Sequence, residues 1–357
     1  MKKRILALLS IVLVLTLLLS ACQQATPAPT EAAAPAAAAT EAPAAAATEA
    51  PAKVYKLAVI FPGVITDADY NTLAYIGMTE VQRTLGVETA YSESVAVPDV
   101  DRVMREYIDS GYNIIWSHGG QFVTQTVALA AEFPEVEFIA EGDANVENPP
   151  ANLWFIDRNF QNGYYAIGTI AALATKTGKI GYMGGSTLAF SYQEVHAIQQ
   201  ALTDMGSKAE LVINYTGDFN DPTKARQAAD AMIASGVDVI MASVNLGVLG
   251  VFEAAKAAGE SGKTVLVTAK YTDKASFAPK NYITSVIYDF AKPLEDIVTK
   301  IQAGETGGYY PLGFDTGVSI KFPLANVDPS VETQAKEVVA KVMDGTIKVV
   351  EDSTEVK

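Results

Sequence analysis

Pro98-Asp-Val-Asp-Arg-Val-Met-Arg-Glu-Tyr-Ile-Asp-Ser-Gly111-Tyr-Asn-Ile-Ile-Trp-Ser117 places a helix and the strand that follows it in one short stretch. Pro98 precedes a helical pattern over Asp99–Ser110, Gly111 ends it, and Asn113–Ser117 is apolar enough for a buried strand. The plan recurs in the second half. Asp221 and Pro222 supply a capping carboxylate and a first-turn proline, and Gly236 closes the helix. Val237-Asp-Val-Ile-Met-Ala242 is the strand that follows. The proline-to-glycine spacings are 13 and 14 residues, a loose match that any two such units can show.

Outward from these units the alternation continues. Tyr55-Lys-Leu-Ala-Val-Ile-Phe61 reads as a buried strand, and Leu73, Ile76, Val81 and Leu85 outline a helix face ended by Gly86. Gln121–Glu132 reads as a helix, and Val136–Glu141, Lys179–Met183 and Glu210–Tyr215 as strands. Strands that alternate with helices imply parallel sheets covered on both faces, here in two similar α/β lobes. Ligands of such sheets bind beyond the carboxyl ends of the strands. The loops of interest are therefore Pro62–Asn71, Ser117–Gln121, Gly184–Tyr192, Val244–Val248 and Lys270–Ala278.

The amino terminus carries a different message. Lys2, Lys3 and Arg4 precede an apolar run from Ile5 to Leu19, which closes as Leu19-Ser-Ala-Cys22. The order of basic, apolar and small-residue parts is that of a secretory signal (1–21). Its ending resembles a bacterial lipobox, in which the cysteine is acylated. The run is shorter than the roughly 20 residues a membrane-spanning helix needs. Cys22 is the only cysteine, so disulfides and cysteine metal sites are excluded. Residues 22–52 are nearly all Ala, Pro, Thr and Glu, with no large apolar side chain to offset the entropy of ordering. They are expected to tether a folded body of about 300 residues, a size suited to two cores. The net charge is −15, and loss of three signal cations makes it −18. So acidic a chain is a poor partner for nucleic acid or anionic lipid.

Catalytic patterns are absent. Gly262-Lys-Thr264 resembles the end of a phosphate loop, but Ala257 stands where its first glycine belongs, and the triplet precedes a strand. The two histidines, His118 and His196, lack zinc-site spacing, and there is no Gly-x-Ser-x-Gly elbow. No catalytic residue, metal or cofactor is expected. His118 and Gly119 follow a strand, where His118 either meets a ligand or caps the next helix. In Asp67-Ala-Asp69-Tyr70-Asn71 an aromatic ring lies among carboxylates and an amide just beyond a strand end. That set suits a small polar ring or sugar. The alternative is a loop in which Asp67 caps the helix and Tyr70 packs on the body. Phe190, Asn245 and Lys270 are further candidates by position. Trp116, Phe122 and Tyr192 are equally accounted for by core packing, and Trp154 by core or hinge packing.

Three segments together resemble the basic membrane protein (BMP) family of ABC transporter substrate-binding lipoproteins, with its PnrA-like purine nucleoside receptors. They are Asp67-Ala-Asp-Tyr-Asn71 with Tyr75-Ile-Gly77, then Ala130–Phe138, then Gly168–Gly185 around Ala174-Thr-Lys-Thr-Gly-Lys-Ile-Gly181. The resemblance covers Val54 to about Lys321. It implies a type I periplasmic-binding-protein fold of two Rossmann-like lobes, joined by three crossovers near Arg158, Val286 and Thr316. The lobes would be 53–157 with 287–315 and 158–286 with 316–357. A nucleoside-like solute would sit between them and pass to an ABC permease, with Cys22 holding the receptor on the outer face of the cell membrane. Three family positions differ, the first being Asp69, which stands where the family has a small residue in the first loop. The ribose-holding aspartate is replaced around Lys270 or displaced to Asp273, and Tyr288 stands near an expected lysine. Lys270 and Asp69 then suggest a zwitterionic or differently decorated solute. Competing readings are a sensor lipoprotein, an extracellular enzyme on a small molecule, and a structural envelope lipoprotein.

Overall fold

A computed structural model of the protein describes residues 54–144 and 146–356. The signal (1–21), Cys22 and the linker (22–52) lie outside the described residues. The first half runs β1 (Lys56–Ile60), α1 (Tyr70–Leu85), β2 (Glu88–Ser92), α2 (Val100–Asp109), β3 (Ile114–Ser117), α3 (Val123–Glu132), β4 (Glu137–Gly142) and β5 (Leu153–Asp157). The second runs α4 (Phe160–Ala174), β6 (Lys179–Gly184), α5 (Ala189–Asp204), β7 (Glu210–Tyr215), α6 (Pro222–Ala234), β8 (Val239–Ser243), α7 (Val248–Glu260), β9 (Leu266–Tyr271) and β10 (Tyr282–Tyr288). The chain closes with α8 (Ala291–Gln302), β11 (Gly308–Pro311), β12 (Val318–Ile320) and α9 (Pro329–Met343).

The strands form two sheets, ordered β11-β5-β4-β3-β1-β2 and β12-β10-β9-β8-β6-β7. Every described pairing is parallel except β10 with β12. The chain passes from one sheet to the other three times, between β5 and α4, between β10 and α8, and between β11 and β12. The second pass lies beyond Val286, because β10 continues to Tyr288.

Side-chain alternation explains why helices cover both faces. In β1, Leu57 and Val59 join Ala74, Met78 and Val81 of α1 and Leu294 and Ile297 of α8 in one apolar cluster. Ala58 and Ile60 point the other way, into a cluster with Val103 and Met104 of α2 and Leu129 of α3. In the second sheet, Ile240 and Val267 meet α6 and α7, while Val239 and Met241 belong to the cluster shared with α4 and α5. That shared cluster draws on both sheets, so a continuous apolar body joins the lobes. The Asp221 cap forms as read, its carboxylate accepting from the Thr223 and Lys224 amides at 2.9 and 3.1 Å.

One residue of the expected α1 face departs from it: Val81 is buried and Leu73 and Leu85 pack against the core, but Ile76 does not. Ile76 is 46% exposed, and the buried stripe is Asn71, Ala74, Gly77, Met78 and Val81. The reason is the close approach of α8. A Cβ on Gly77 would stand 3.0 Å from the Ala291 Cα, so only glycine lets the two helices meet there. Gly77→Val should therefore lower the urea midpoint at unchanged m-value, by about 1–3 kcal/mol. Ile76→Ser should stay within about 0.5 kcal/mol of wild type.

Candidate functional site

A cavity of about 520 Å³ lies where the carboxyl ends of both sets of strands converge. Pro62, Gly63, Tyr70 and Asn71 line it from the loop after β1, and Gly120 and Gln121 from the loop after β3. Asp143 and Arg158 follow β4 and β5. The second sheet contributes Leu188, Ala189 and Phe190 after β6, Phe219 and Asn220 after β7, Asn245 after β8, and Tyr271 at the end of β9. A second cavity of about 650 Å³ is larger, but it sits at the amino ends of β8 and β9, lined by Leu173, Ile233, Val265 and Val331. Loops of parallel sheets converge at the carboxyl ends, so the smaller cleft is the candidate site.

Arg158 organises the cleft. Its guanidinium pairs with Asp143 at 2.5 Å and donates to the Tyr70 hydroxyl at 3.3 Å. It also lies 5.1 and 5.5 Å from the rings of Phe160 and Phe190. Burial works against its charge, but Asp143, with Tyr70 and Glu141 nearby, more than offsets this and holds the guanidinium charged. Gly120 makes room, since a Cβ there would come 2.9 Å from the guanidinium. Three buried polar atoms of cleft-lining residues have no hydrogen-bond partner, Arg158 Nε, Asn71 Oδ1 and Asp143 Oδ1, the last of them in the ion pair with the guanidinium. One donor and one acceptor are thus open to a solute. Phe190 and Phe219 stack at 6.0 Å with 28° between their planes, an aromatic wall opposite Tyr70 and Asn71 in the lining.

Of the residues expected from sequence, Tyr70, Asn71, Phe190 and Asn245 line the cleft. Asp67 is turned into its own loop, where it accepts from the amides of Asp69, Asn71 and Thr72 and from the Asn71 side chain. It thus acts as the cap that was its alternative reading. His118 is fully buried, stacked on Tyr70 at 3.9 Å, with Nδ1 3.0 Å from Glu141. Tyr70 donates to the same Glu141. Burial favours the neutral form of Glu141, but His118, Arg158 and the Tyr70 hydroxyl outweigh it and leave its pKa lowered. His118 therefore positions Tyr70 from behind. Gly119 lies outside the lining and precedes the turn that carries Gly120.

Lys270 is buried as well. Its ammonium pairs with Glu194 at 2.6 Å and lies 3.7 and 4.7 Å from the rings of Phe160 and Phe190. Tyr182 donates to the other Glu194 oxygen at 2.7 Å. Burial lowers the Lys270 pKa, only partly offset by Glu194. The charge supports the aromatic wall from its far side and does not line the cleft. Asp69 pairs with Lys274 at 2.6 Å, away from the lining. Arg158, Asp143, Phe219 and Asn220 were missed as site residues, although each follows a strand end. The short apolar run Leu153–Asp157 was the signal that Arg158 begins a loop of the site. Trp116 and Phe122 belong to the core, and Tyr192 packs edge-on against Tyr215. Among the described residues no acidic, histidine or cysteine cluster is arranged to hold a metal, and no helix is long and apolar enough to cross a membrane.

The sequence profile of ABC transporter substrate-binding proteins of the PnrA-like Bmp group matches residues 54–353. The chain belongs to the Bmp family. Among Bmp relatives, basic membrane protein A2 of Borrelia garinii subsp. bavariensis is 30% identical over 274 residues, covering 74% of this chain and 78% of that protein. The CD4+ T-cell-stimulating antigen of Listeria innocua is 24% identical, with 81% and 86% covered. A solute-binding protein of an ABC transporter system from Aeropyrum pernix K1 superposes with a TM-score of 0.72 at 20% identity, over 84% of this chain and 94% of its own. A LacI-family regulator from Enterococcus faecium with bound ribose gives 0.58 at 12% identity, over 77% and 99%. The fold is the type I periplasmic-binding-protein fold, and this Bmp protein is a solute-binding protein of the ABC transporter class.

Asp69 gives the stability of this Bmp protein a pH dependence. Burial raises its pKa from 3.8 to about 6; Lys274 and Thr272 oppose the rise, and Asp67 adds to it. A carboxyl whose folded pKa exceeds its unfolded value destabilises the fold when ionised, so the cost is present above pH 6 and gone below about 3.8. The stability of wild type relative to Asp69→Asn should therefore rise by on the order of 2–3 kcal/mol as the pH falls from 7.5 to 4. Paired urea titrations across that range check the change.

Proposed function

We propose that the protein is the extracytoplasmic receptor of an ABC importer, taking a nucleoside or a related small polar ring compound into the cleft and delivering it unaltered to a permease. The observation that carries this reading is the cleft itself. One side offers the stacked rings of Phe190 and Phe219, suited to a planar heterocycle. Asn71 Oδ1 and Arg158 Nε, both unpartnered, suit the polar edge of the same molecule. Arg158 is neutralised by Asp143 at 2.5 Å, which favours a solute without net charge over an anion. Lys270 and Asp69 are each paired within the protein, which removes the basis for a zwitterionic preference. Binding between lobes couples loading to closure, and closure supplies a shape for the permease to recognise. Membership of the Bmp family supports transport. Acylation of Cys22 would hold the receptor at the membrane.

A thermal-shift screen against nucleosides, nucleobases, sugars and amino acids tests the substrate class. A nucleoside at about 100 times its dissociation constant should add roughly 2.7 kcal/mol of stability. Phe219→Ala should weaken that binding about threefold to tenfold with the fold intact. A shift from sugars or amino acids alone would replace the nucleoside reading. For the anchor, labelled palmitate should enter the wild-type protein and not Cys22→Ser, and the latter should leave the membrane fraction. Equal labelling of both would remove Cys22 as the attachment point.

A further inference from the structure

Asp69 follows β1 of the first sheet, and Lys274 follows β9 of the second. Their side chains nevertheless meet, Lys274 Nζ lying 2.6 Å from Asp69 Oδ1, and the Thr272 hydroxyl donates to the same oxygen at 3.1 Å. The Asp69 side chain is fully buried and that of Lys274 is 7% exposed. Asp69 Oδ2 has no hydrogen-bond partner, so the carboxylate depends on what the second sheet brings to its other oxygen. Asp67 adds a nearby negative charge, and the Tyr271 ring, within reach of the Asp69 charge, lies 5.9 Å from that of Tyr70. Neither Asp69 nor Lys274 lines the cavity.

We propose that Asp69 and Lys274 form a closure clasp, in which Lys274 carries the positive charge that allows the Asp69 carboxylate to be buried when the two lobes come together. The lobes cannot part without breaking this pair and returning both groups to water. With Lys274 absent, closure must bury an unpaired carboxylate, a far larger cost than replacing both charges by neutral groups. The clasp rests on the reading that solute is held between moving lobes. Its own test needs no solute, so the two ideas fail separately.

The test is hydrogen–deuterium exchange by mass spectrometry on the full-length protein at pH 7.5 without added solute. It compares wild type, Lys274→Met, Lys274→Gln and the double variant Asp69→Asn/Lys274→Met. Both single variants should exchange faster at residues 62–71 and 271–278 and, decisively, at 188–193. That last segment touches neither clasp residue and gains exchange only if the cleft opens. The double variant should return all three segments to the wild-type rate. Slow exchange in β3 and β8 confirms that each variant is folded, and Lys274→Gln stands in if Lys274→Met is not. Wild-type exchange at 188–193 in the folded single variant, or a double variant as fast as the single, overturns the clasp.

Discussion

Arg158 stands where the chain first leaves one sheet for the other, and the cleft is arranged around its buried charge. A guanidinium removed from water needs a counter-charge and hydrogen-bond acceptors close by. Asp143 provides the first at 2.5 Å, and the Tyr70 hydroxyl accepts at 3.3 Å. Those two demands fix the loop after β4 and the start of α1. Tyr70 in turn is held by His118 beneath it and by Glu141. Phe160 and Phe190 approach the same guanidinium, so the wall contributed by the second sheet is tied to the same group.

Around that point the protein meets two opposed requirements. The lobes must be joined firmly enough to align the cleft, and yet be able to part. The apolar cluster shared by both sheets, which includes Phe160, Val286, Tyr288 and Leu312 beside the three passes, meets the first. Polar contacts across the cleft suit the second, because water can replace them when the lobes separate. Gln193 donates to the Asp143 carbonyl at 2.7 Å, and Lys274 reaches Asp69 from the opposite sheet. Buried pairs of this kind add little net stability, since desolvation offsets their attraction. They specify one arrangement of the lobes.

Much of the fold was legible because its signals are local. Apolar runs such as Tyr55–Phe61, the Asp221-Pro222 start and the closing Gly111 and Gly236 each report a neighbourhood of a few residues. The alternation of such units leads to parallel sheets. The edge strands β11 and β12 were not legible, being short and set apart in sequence from the partners that stabilise them. On α1 the one departure is Ile76, which helical periodicity ranks above Gly77. Proximity of α8 reverses that order.

By itself the sequence determined the alternating elements, the loops that reach a cleft, and the family. These follow from composition and from spacing within single segments. Tertiary structure decided what each polar side chain does. Asp67, Asp69, His118 and Lys270 all stand in or beside the right loops, yet each is committed to a partner inside the protein. Arg158 and Phe219 drew no notice as site residues and lie on the cleft surface. A carboxylate or an ammonium has the same chemistry in a linear chain wherever it stands. Whether it is left for a ligand or paired internally depends on which distant residue folding brings within about 3 Å of it.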